Sequence, residues 1–228
     1  MRTLTLLLLV TLLAACATVS TQKMESGDRS LGERMVVNLD AAWNKVALPN
    51  TGPAQTWTME GLPVDQLLIY SGVKDGEVIH GTVFGSKLKS FAFRSAMQPD
   101  EIVAMFEGML TRDGSAFKLV KLEPSSFGGA KGLRFEYSVI RKVDNVRLSG
   151  VGYASVNGGE LFAMVYSAPQ LGFFPRHQAN VQQIAQSARI SLKPGGGMGE
   201  GTRKPAAAQP EPACRTQAEC RALGINQK

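Results

Sequence analysis

The chain has 228 residues and a formal net charge of +6 at pH 7. Its lysines and arginines are scattered, and no basic stripe with interleaved aromatic residues is present, so the composition argues against nucleic acid as a partner. With only 2 histidines and 3 cysteines, the chain offers few side chains for nucleophilic catalysis or metal binding, and we expect no metal and no cofactor.

The first fifteen residues have the layout of an export signal. Arg2 gives a basic start, residues 4–13 are almost entirely apolar, and the run ends in the letters LAAC, of which the last is Cys16. A helix needs about 20 apolar residues to span a bilayer, so this stretch is too short. A basic start, an apolar middle and small residues before a cleavage point are typical of a secretory signal peptide. Residues 1–15 are therefore predicted to be removed.

The LAAC motif resembles the lipobox of bacterial lipoproteins, in which the cysteine is the modified residue. The resemblance implies that the Cys16 thiol carries diacylglycerol, that the chain is cut after Ala15, and that the new amino group is acylated. Several acyl chains together hold a protein on a membrane far more durably than one. Because Ala17 follows the cysteine, the resemblance also implies the inner, periplasmic leaflet of the outer membrane of a Gram-negative bacterium. The alternative is a plain signal peptide with a coincidental cysteine.

Residues 16–32 are small and polar, which predicts a lipidated tether leading to a folded domain at residues 33–192. Short apolar runs between turn signals predict the first strands of this domain. These strands are expected at residues 34–39, around Trp57 and Met59, at 67–69 and at 90–94.

Two later segments have the periodicity of amphipathic helices. The first begins at Pro99 with two acidic residues in its first turn, where they complement the helix dipole, and Gly114 is expected to end it. Its apolar residues recur at spacings of three and four, which predicts one buried stripe: Ile102, Met105, Phe106, Met109 and Leu110. The second helix is predicted at residues 175–188, with Val181, Ile184, Ala185 and Ala188 on one face.

The segments beside these helices have the patterns of strands. Residues 117–122 predict one strand, and strict alternation over 133–139 predicts another with one face in the core. Residues 146–156 and 161–167 predict a hairpin around Asn157-Gly158-Gly159, and the letters ARISL close the domain. The predicted fold class is α+β, a mainly antiparallel β-sheet flanked by amphipathic helices.

The C-terminal end differs in composition from the domain. Residues 193–212 are rich in glycine, proline and alanine, which predicts a flexible linker. Residues 213–228 contain Cys214 and Cys220 and predict a short helical tail. Since an exported compartment is oxidising, we expect these two cysteines to form a disulfide that staples the tail. Two thiols without a nearby histidine are too few ligands for a zinc site.

The last hundred residues of the domain contain the strand arm NGGELFAMVYSAP, the pair Phe173-Phe174, and a helix that leads into IAQSARI. These features, with Ala168-Pro169 and Ser187 at matching places, resemble the PsbP-like α/β/α sandwich proteins, a group that includes an extrinsic photosystem protein and bacterial periplasmic relatives. The resemblance implies the sandwich fold and a scaffolding or docking role rather than catalysis. The segment at residues 56–77 also resembles a stretch of uncharacterised proteobacterial lipoproteins.

No complete catalytic set stands out. Neither His80 nor His177 accompanies a G-x-S-x-G elbow; the first is predicted in an exposed strand or turn, and the second to cap a helix or face solvent. The FGGAKG stretch at residues 127–132 lacks the spacing of a phosphate loop and leads into a strand. The carboxylates considered for glycosidase chemistry are Asp65, Asp75, Glu77 and Glu160.

The bulky aromatic residues have two possible roles. Trp43, Trp57, Phe173 and Phe174 either fill the core or form an exposed apolar patch for a partner. Because Pro175 is expected to open a helix, Phe173 and Phe174 are predicted in a loop, which favours a docking surface made of these two residues and Trp57. The sequence thus predicts a non-enzymatic, lipid-anchored accessory protein that docks on another envelope protein. The alternatives are an envelope hydrolase or carbohydrate-acting enzyme, and a carrier of a small apolar ligand.

Overall fold

The computed structural model describes residues 20–48, 52–80 and 91–191, which form eleven strands and two helices. The strands are β1 (Ser20–Met24), β2 (Gly27–Leu31), β3 (Met35–Leu39), β4 (Trp43–Ala47), β5 (Gln55–Thr58), β6 (Gln66–Val73), β7 (Ala116–Phe127), β8 (Ala130–Ile140), β9 (Arg147–Asn157), β10 (Glu160–Pro169) and β11 (Arg189–Ile190). The helices are α1 (Pro99–Leu110) and α2 (Phe173–Ser187).

Eight of these strands form one antiparallel sheet in the order β1-β4-β5-β6-β10-β9-β8-β7. The strands β11, β3 and β2 form a second antiparallel sheet. In the large sheet β1 lies at one edge and β7 at the other. The predicted α+β class, a mainly antiparallel sheet flanked by helices, is confirmed.

Two tight hairpins build the β7-to-β10 half of the sheet. At the β9–β10 turn Gly158 and Gly159 have φ angles of 60° and 79°, and Asn157 pairs with Glu160. Two successive positive φ angles are what a two-residue hairpin of matching twist requires, and glycine adopts them without strain. The β7–β8 turn uses Gly128 and Gly129 in the same way. The FGGAKG stretch is therefore a hairpin turn.

Helix α1 covers one face of the large sheet, which we call the α1 face. Its predicted stripe packs on apolar side chains of β6, β8 and β10, and Phe106 stacks on Phe135 with ring centroids 5.9 Å apart. The helix ends at Leu110, and Thr111 rather than Gly114 is its C-cap. At its start the Gln98 N–H donates to Glu101 Oε2 at 2.7 Å, which satisfies one of the free amides that every helix start exposes.

Glycines on β9 make room for the aromatic rings of the α1 face. A Cβ atom at Gly150 would collide with the Tyr137 ring, and one at Gly152 would collide with the Phe135 ring. Because the Tyr137 ring lies across β9, its hydroxyl reaches β10 and donates to the Tyr166 carbonyl at 3.1 Å.

Helix α2 and the three-stranded sheet cover the opposite face, the α2 face. Val181, Ile184 and Ala185 are buried there as their spacing predicts. They pack against side chains of β3, β9 and β10.

The predicted tether at residues 16–32 is wrong over most of its length, because residues 20–24 and 27–31 form β1 and β2. The run at residues 34–39 is a strand, but it is the third one. Around residues 90–94 the described part of the chain shows only a single bridge, between Val78 and Ala92. The signal segment, the linker at 193–212 and the tail at 213–228 lie outside the described residues.

Candidate docking surface

Trp57 is fully buried, so its assignment to an exposed docking surface is wrong. It lies on β5 opposite Leu67 of β6, and both side chains belong to the core beneath α2. Trp43 is buried in the same core, where its Nε1–H donates to Asn180 Oδ1 at 3.1 Å. Both tryptophans therefore fill the core.

Phe173 and Phe174 are the first two residues of α2 and do not lie in a loop. Both rings are half-buried and pack on the core. Phe174 stacks on Tyr166 with centroids 5.9 Å apart, and the Arg176 guanidinium lies 5.2 Å from the centre of the Phe173 ring. The pair thus anchors the start of the helix and leaves only part of each ring in contact with solvent.

The most exposed apolar run on a described strand lies on β7. Leu119, Val120 and Leu122 are 41%, 60% and 37% exposed. No described strand pairs with the outer edge of β7, so within the described part of the chain the outward N–H and C=O groups of this strand have no ladder partner. We call residues 118–122 the β7 surface. Exposed leucine and valine on an unpaired sheet edge are typical of an interaction site.

A β-bulge divides the β7 surface. The register of β7 against β8 shifts between Leu119 and Lys121, which leaves Val120 as the extra residue. The bulge explains the sequence, because it puts Leu119 and Leu122, three positions apart, on the same face of the sheet, which a regular strand cannot do.

The lysines and the leucines of the β7 surface lie on opposite faces of the sheet. Lys118 and Lys121 lie opposite Ser138 and Glu136, on the α2 face. Leu119 and Leu122 lie opposite Tyr137 and Phe135, whose rings belong to the core under α1. The β7 surface therefore has a basic side and an apolar side.

A groove adjoins the basic side. Since α2 packs on β9 and β10, the outer strands β7 and β8 extend beyond the helix, and a groove of about 380 Å³ remains beside it. Its lining includes Lys118, Val120, Ser138, Arg147, Ser149 and Phe174. The side chains of Lys118 and Arg147 are exposed and make no hydrogen bond or ion pair within the described part of the chain.

Further along the same face the charges are paired. Arg134 donates to Glu123 at 2.7 Å and to Glu136 at 2.6 Å, and Lys121 lies 2.6 Å from Glu123. The hydrogen bonds from Lys121 and Arg134 hold the pKa of Glu123 below its ordinary value. With Lys118 and Arg147 unpaired, the cations of this face outnumber its carboxylates.

His177 is buried, which corrects the expectation of a capping or solvent-exposed histidine. Its Nε2 lies 2.7 Å from Glu60 Oε1, and Arg176 donates to the same oxygen at 3.0 Å. Hydrogen bonds from His177 and Arg176 lower the pKa of Glu60. Among the described residues the His177 ring has no hydrogen-bond partner other than Glu60, and the pair holds the β5–β6 loop on α2. His80 is half-buried, and burial lowers its pKa.

The four candidate carboxylates each make structural contacts within the fold. Asp65 accepts from the backbone N–H groups of residues 59 and 60 and from the Thr58 hydroxyl. Asp75 accepts from the N–H and hydroxyl of Ser95, Glu77 accepts from the N–H of residue 74, and Glu160 lies 2.7 Å from the residue 34 guanidinium. Within residues 20–48, 52–80 and 91–191 no group of three or more His, Cys, Asp or Glu side chains is arranged to hold a metal ion.

If the protein carried a small apolar ligand, we would expect a cavity between a helix and the sheet. Under α1 this space is filled by large rings, including Tyr70, Phe106 and Phe135, which are fully buried and in contact with one another. Beside them lie two surface grooves of about 320 and 280 Å³ at the end of α1, where polar groups such as Asp113 and Arg141 contribute to the lining.

The predicted modification sites Cys16, Cys214 and Cys220 lie outside the described residues. Of the helices that the structure describes, none is long and apolar enough to span a membrane. The sequence does not directly predict that Leu119, Val120 and Leu122 are exposed. The one indication is that Leu119 and Val120 are adjacent apolar residues in a strand whose apolar and polar residues otherwise alternate.

Comparison of the sequence with protein-family models and with curated proteins gives no match. Among solved structures, the solution structure of cyanobacterial PsbP (CyanoP) from Synechocystis sp. PCC 6803 is similar, with a TM-score of 0.50 and 13% identity over 78% of this chain and 96% of that one. The crystal structure of LpqN, involved in cell envelope biogenesis of Mycobacterium tuberculosis, aligns at a TM-score of 0.33 and 9% identity over 78% and 87% of the two chains. The chain therefore has a PsbP-like α+β fold.

Proposed function

We propose that this chain is a lipid-anchored protein of the bacterial cell envelope that docks on another envelope protein and catalyses no reaction. The domain is held on the periplasmic leaflet of the outer membrane by acyl groups on Cys16. Its partner binds at the β7 surface.

The observation that carries the docking function is the exposure of Leu119, Val120 and Leu122 on an edge strand without a described neighbour. Removing such side chains from water is favourable by about 25 cal/mol per Å², and the free edge offers backbone hydrogen bonds in addition. The structural use of the candidate carboxylates and of His177 supports a docking role over hydrolysis.

The anchor is supported by the LAAC motif and by the apolar run before it. It is tested with Cys16→Ser in cells fed radioactive palmitate. The wild-type protein should take up label and float with membranes, whereas the variant should lose both properties. Labelling of the variant, or its unchanged flotation with washed membranes, would refute the anchor. The predicted bridge between Cys214 and Cys220 is tested separately by counting the thiols that alkylate before and after reduction.

The docking surface is tested with a photoactivatable amino acid placed at position 120 in living cells. The matched control position is Val143, a valine that is 82% exposed in the β8–β9 turn. We expect a discrete crosslinked product from position 120 and none of the same size from position 143. Val120→Asp should abolish co-purification of the crosslinked partner, and Val143→Asp should leave it unchanged. If positions 120 and 143 gave the same crosslinked product in equal amount, the β7 surface would not be the docking site.

A further inference from the structure

We infer that the β7 surface takes an extended, acidic segment of its partner, which adds to β7 as a ninth strand of the large sheet. The inference rests on the proposed docking function and specifies the chemistry of the partner. Such a segment has acidic side chains on the α2 face and apolar side chains on the α1 face.

The free edge of β7 gives the backbone part of this recognition. β7 has 12 residues and pairs with β8 along its whole length, while its other side has no described partner. An added strand forms main-chain hydrogen bonds with such an edge, and alternate side chains then contact the two faces of the sheet. The contact pattern is thus set by which β7 residues lie on each face.

On the α2 face the neighbours of the added strand are Lys118, Lys121 and Glu123, of which Lys121 and Glu123 already form an ion pair of 2.6 Å. Lys118 has no ion pair among the described residues, and Arg147 lies beside it in the lining of the groove. A carboxylate of the added strand next to Lys118 can pair with it, whereas Arg147 lies on β9, two strands further in, and adds to the positive charge of this face. Opposite charges on neighbouring strands stabilise a sheet, and like charges destabilise it.

On the α1 face the neighbours are Leu119 and Leu122. Their exposure falls when apolar side chains of the added strand cover them. β7 also carries features that protect a sheet edge from unspecific pairing, namely its lysines, Pro124 and the bulge at Val120. Leu119 and Leu122 stay exposed in spite of these features, which favours a specific partner.

Charge complementarity also decides between possible occupants. A second copy that pairs antiparallel through β7 places its own Lys118 and Lys121 on the same face as the first copy's lysines. Glu123, the one carboxylate of β7, is already paired with Lys121 and Arg134, so repulsion between the lysines disfavours a dimer. Residues 192–228 of the chain contain six lysines and arginines and three glutamates, so this segment is basic as well. An acidic segment of a different protein fits the lysines best.

The probe is a fluorescent eight-residue peptide in which glutamate and valine alternate, compared with one in which lysine replaces glutamate. Binding to the purified protein is measured by anisotropy, and the contact site by hydrogen exchange of the β7 amides. We expect the acidic peptide to bind at least tenfold more tightly at low salt and to protect outward-facing amides of β7, with the difference shrinking as ionic strength rises. Lys118→Glu should reduce the preference about tenfold, whereas Lys74→Glu, which changes an exposed and unpaired lysine at the opposite end of the sheet, should leave it unchanged.

Equal affinity for the two peptides, or protection confined to residues outside β7, overturns the inference. If the protein forms a dimer that is lost in Val120→Asp, the occupant of the edge is a second copy. If deletion of residues 192–228 tightens peptide binding, the occupant is the chain's own tail. Either result also overturns the inference. If position 120 still crosslinks in cells while these peptide measurements fail, the docking function stands and only the acidic strand is wrong. If position 120 gives no crosslink, the docking function itself fails.

Discussion

A methyl group added at Gly152 is expected to destabilise the fold through one identified ring. The new Cβ collides with the far edge of the Phe135 ring, which is stacked between Phe106 and Tyr137 with centroids 5.9 and 5.7 Å away. Overpacking of this kind costs about 1–3 kcal/mol. Replacing glycine by alanine also restricts the unfolded chain, which returns about 0.4–1 kcal/mol. Gly152→Ala should therefore lower the free energy of unfolding by about 1–2 kcal/mol.

The cause is tested by shortening the ring in the same protein. Phe135→Leu alone creates a cavity and is destabilising, but in the double variant the leucine leaves space for the new methyl group. The two changes should be less than additive by about 1 kcal/mol or more. Urea unfolding followed by the fluorescence of the buried Trp43 and Trp57 measures each variant.

The control is Gly132→Ala, whose Cβ collides with the backbone carbonyl of Ala154 rather than with a ring tip. Phe135→Leu cannot relieve that collision, so the loss from Gly132→Ala should persist in its double variant. Additive effects of Gly152→Ala and Phe135→Leu within about 0.5 kcal/mol would show that the Phe135 ring is not what the Gly152 position accommodates.

Three further predictions follow from the β5–β6 loop and the α1 core. Asp65→Asn removes one of the two carboxylate oxygens that accept backbone N–H groups, and should lower the free energy of unfolding by about 1.5–3 kcal/mol in urea titrations; an unchanged midpoint would contradict this. Because the pKa of Glu60 is lowered by His177, its contribution to stability is present above the ordinary glutamate pKa and is lost as pH falls through the lowered value. The melting-temperature difference between wild type and Glu60→Gln should thus be present at neutral pH and vanish in acid, and a difference that grows below pH 4 would refute the pairing. Tyr137→Phe leaves the Tyr166 carbonyl without its hydroxyl donor and should lower stability by about 1 kcal/mol, which thermal unfolding of the two proteins can measure.

Local patterns of the sequence predicted those elements whose burial is periodic. The stripe of α1 and the turn at Gly158 and Gly159 were found because spacing and backbone freedom are properties of short segments. β1 was missed because its letters STQKM contain no apolar alternation, and four of its five residues are exposed. Its extended conformation comes from pairing with β4, about 23 positions later in the chain.

The residues of the candidate site were harder to predict than the secondary structure, because their positions depend on contacts between distant segments of the chain. Glu60 and His177 are separated by 117 positions, so neither the burial of the histidine nor its partner could be read from either segment. The burial of Trp57 could not be predicted from its own segment, because an aromatic residue on a short strand can face either the core or the solvent. The β7 surface was visible only as two neighbouring apolar residues, Leu119 and Val120, and its meaning required knowing that β7 is an edge.

The strand order of the large sheet sets how far the β7 edge reaches from a lipid attached at Cys16. Four positions separate Cys16 from Ser20, the first residue of β1, which allows at most about 14 Å of extended chain. β1 and β7 are at opposite edges of eight strands, and at the usual spacing the sheet is about 34 Å wide. An acylated cysteine would thus keep β1 beside the bilayer while allowing β7 to project into the periplasm, at a height where it can meet a partner that is not itself embedded in that leaflet.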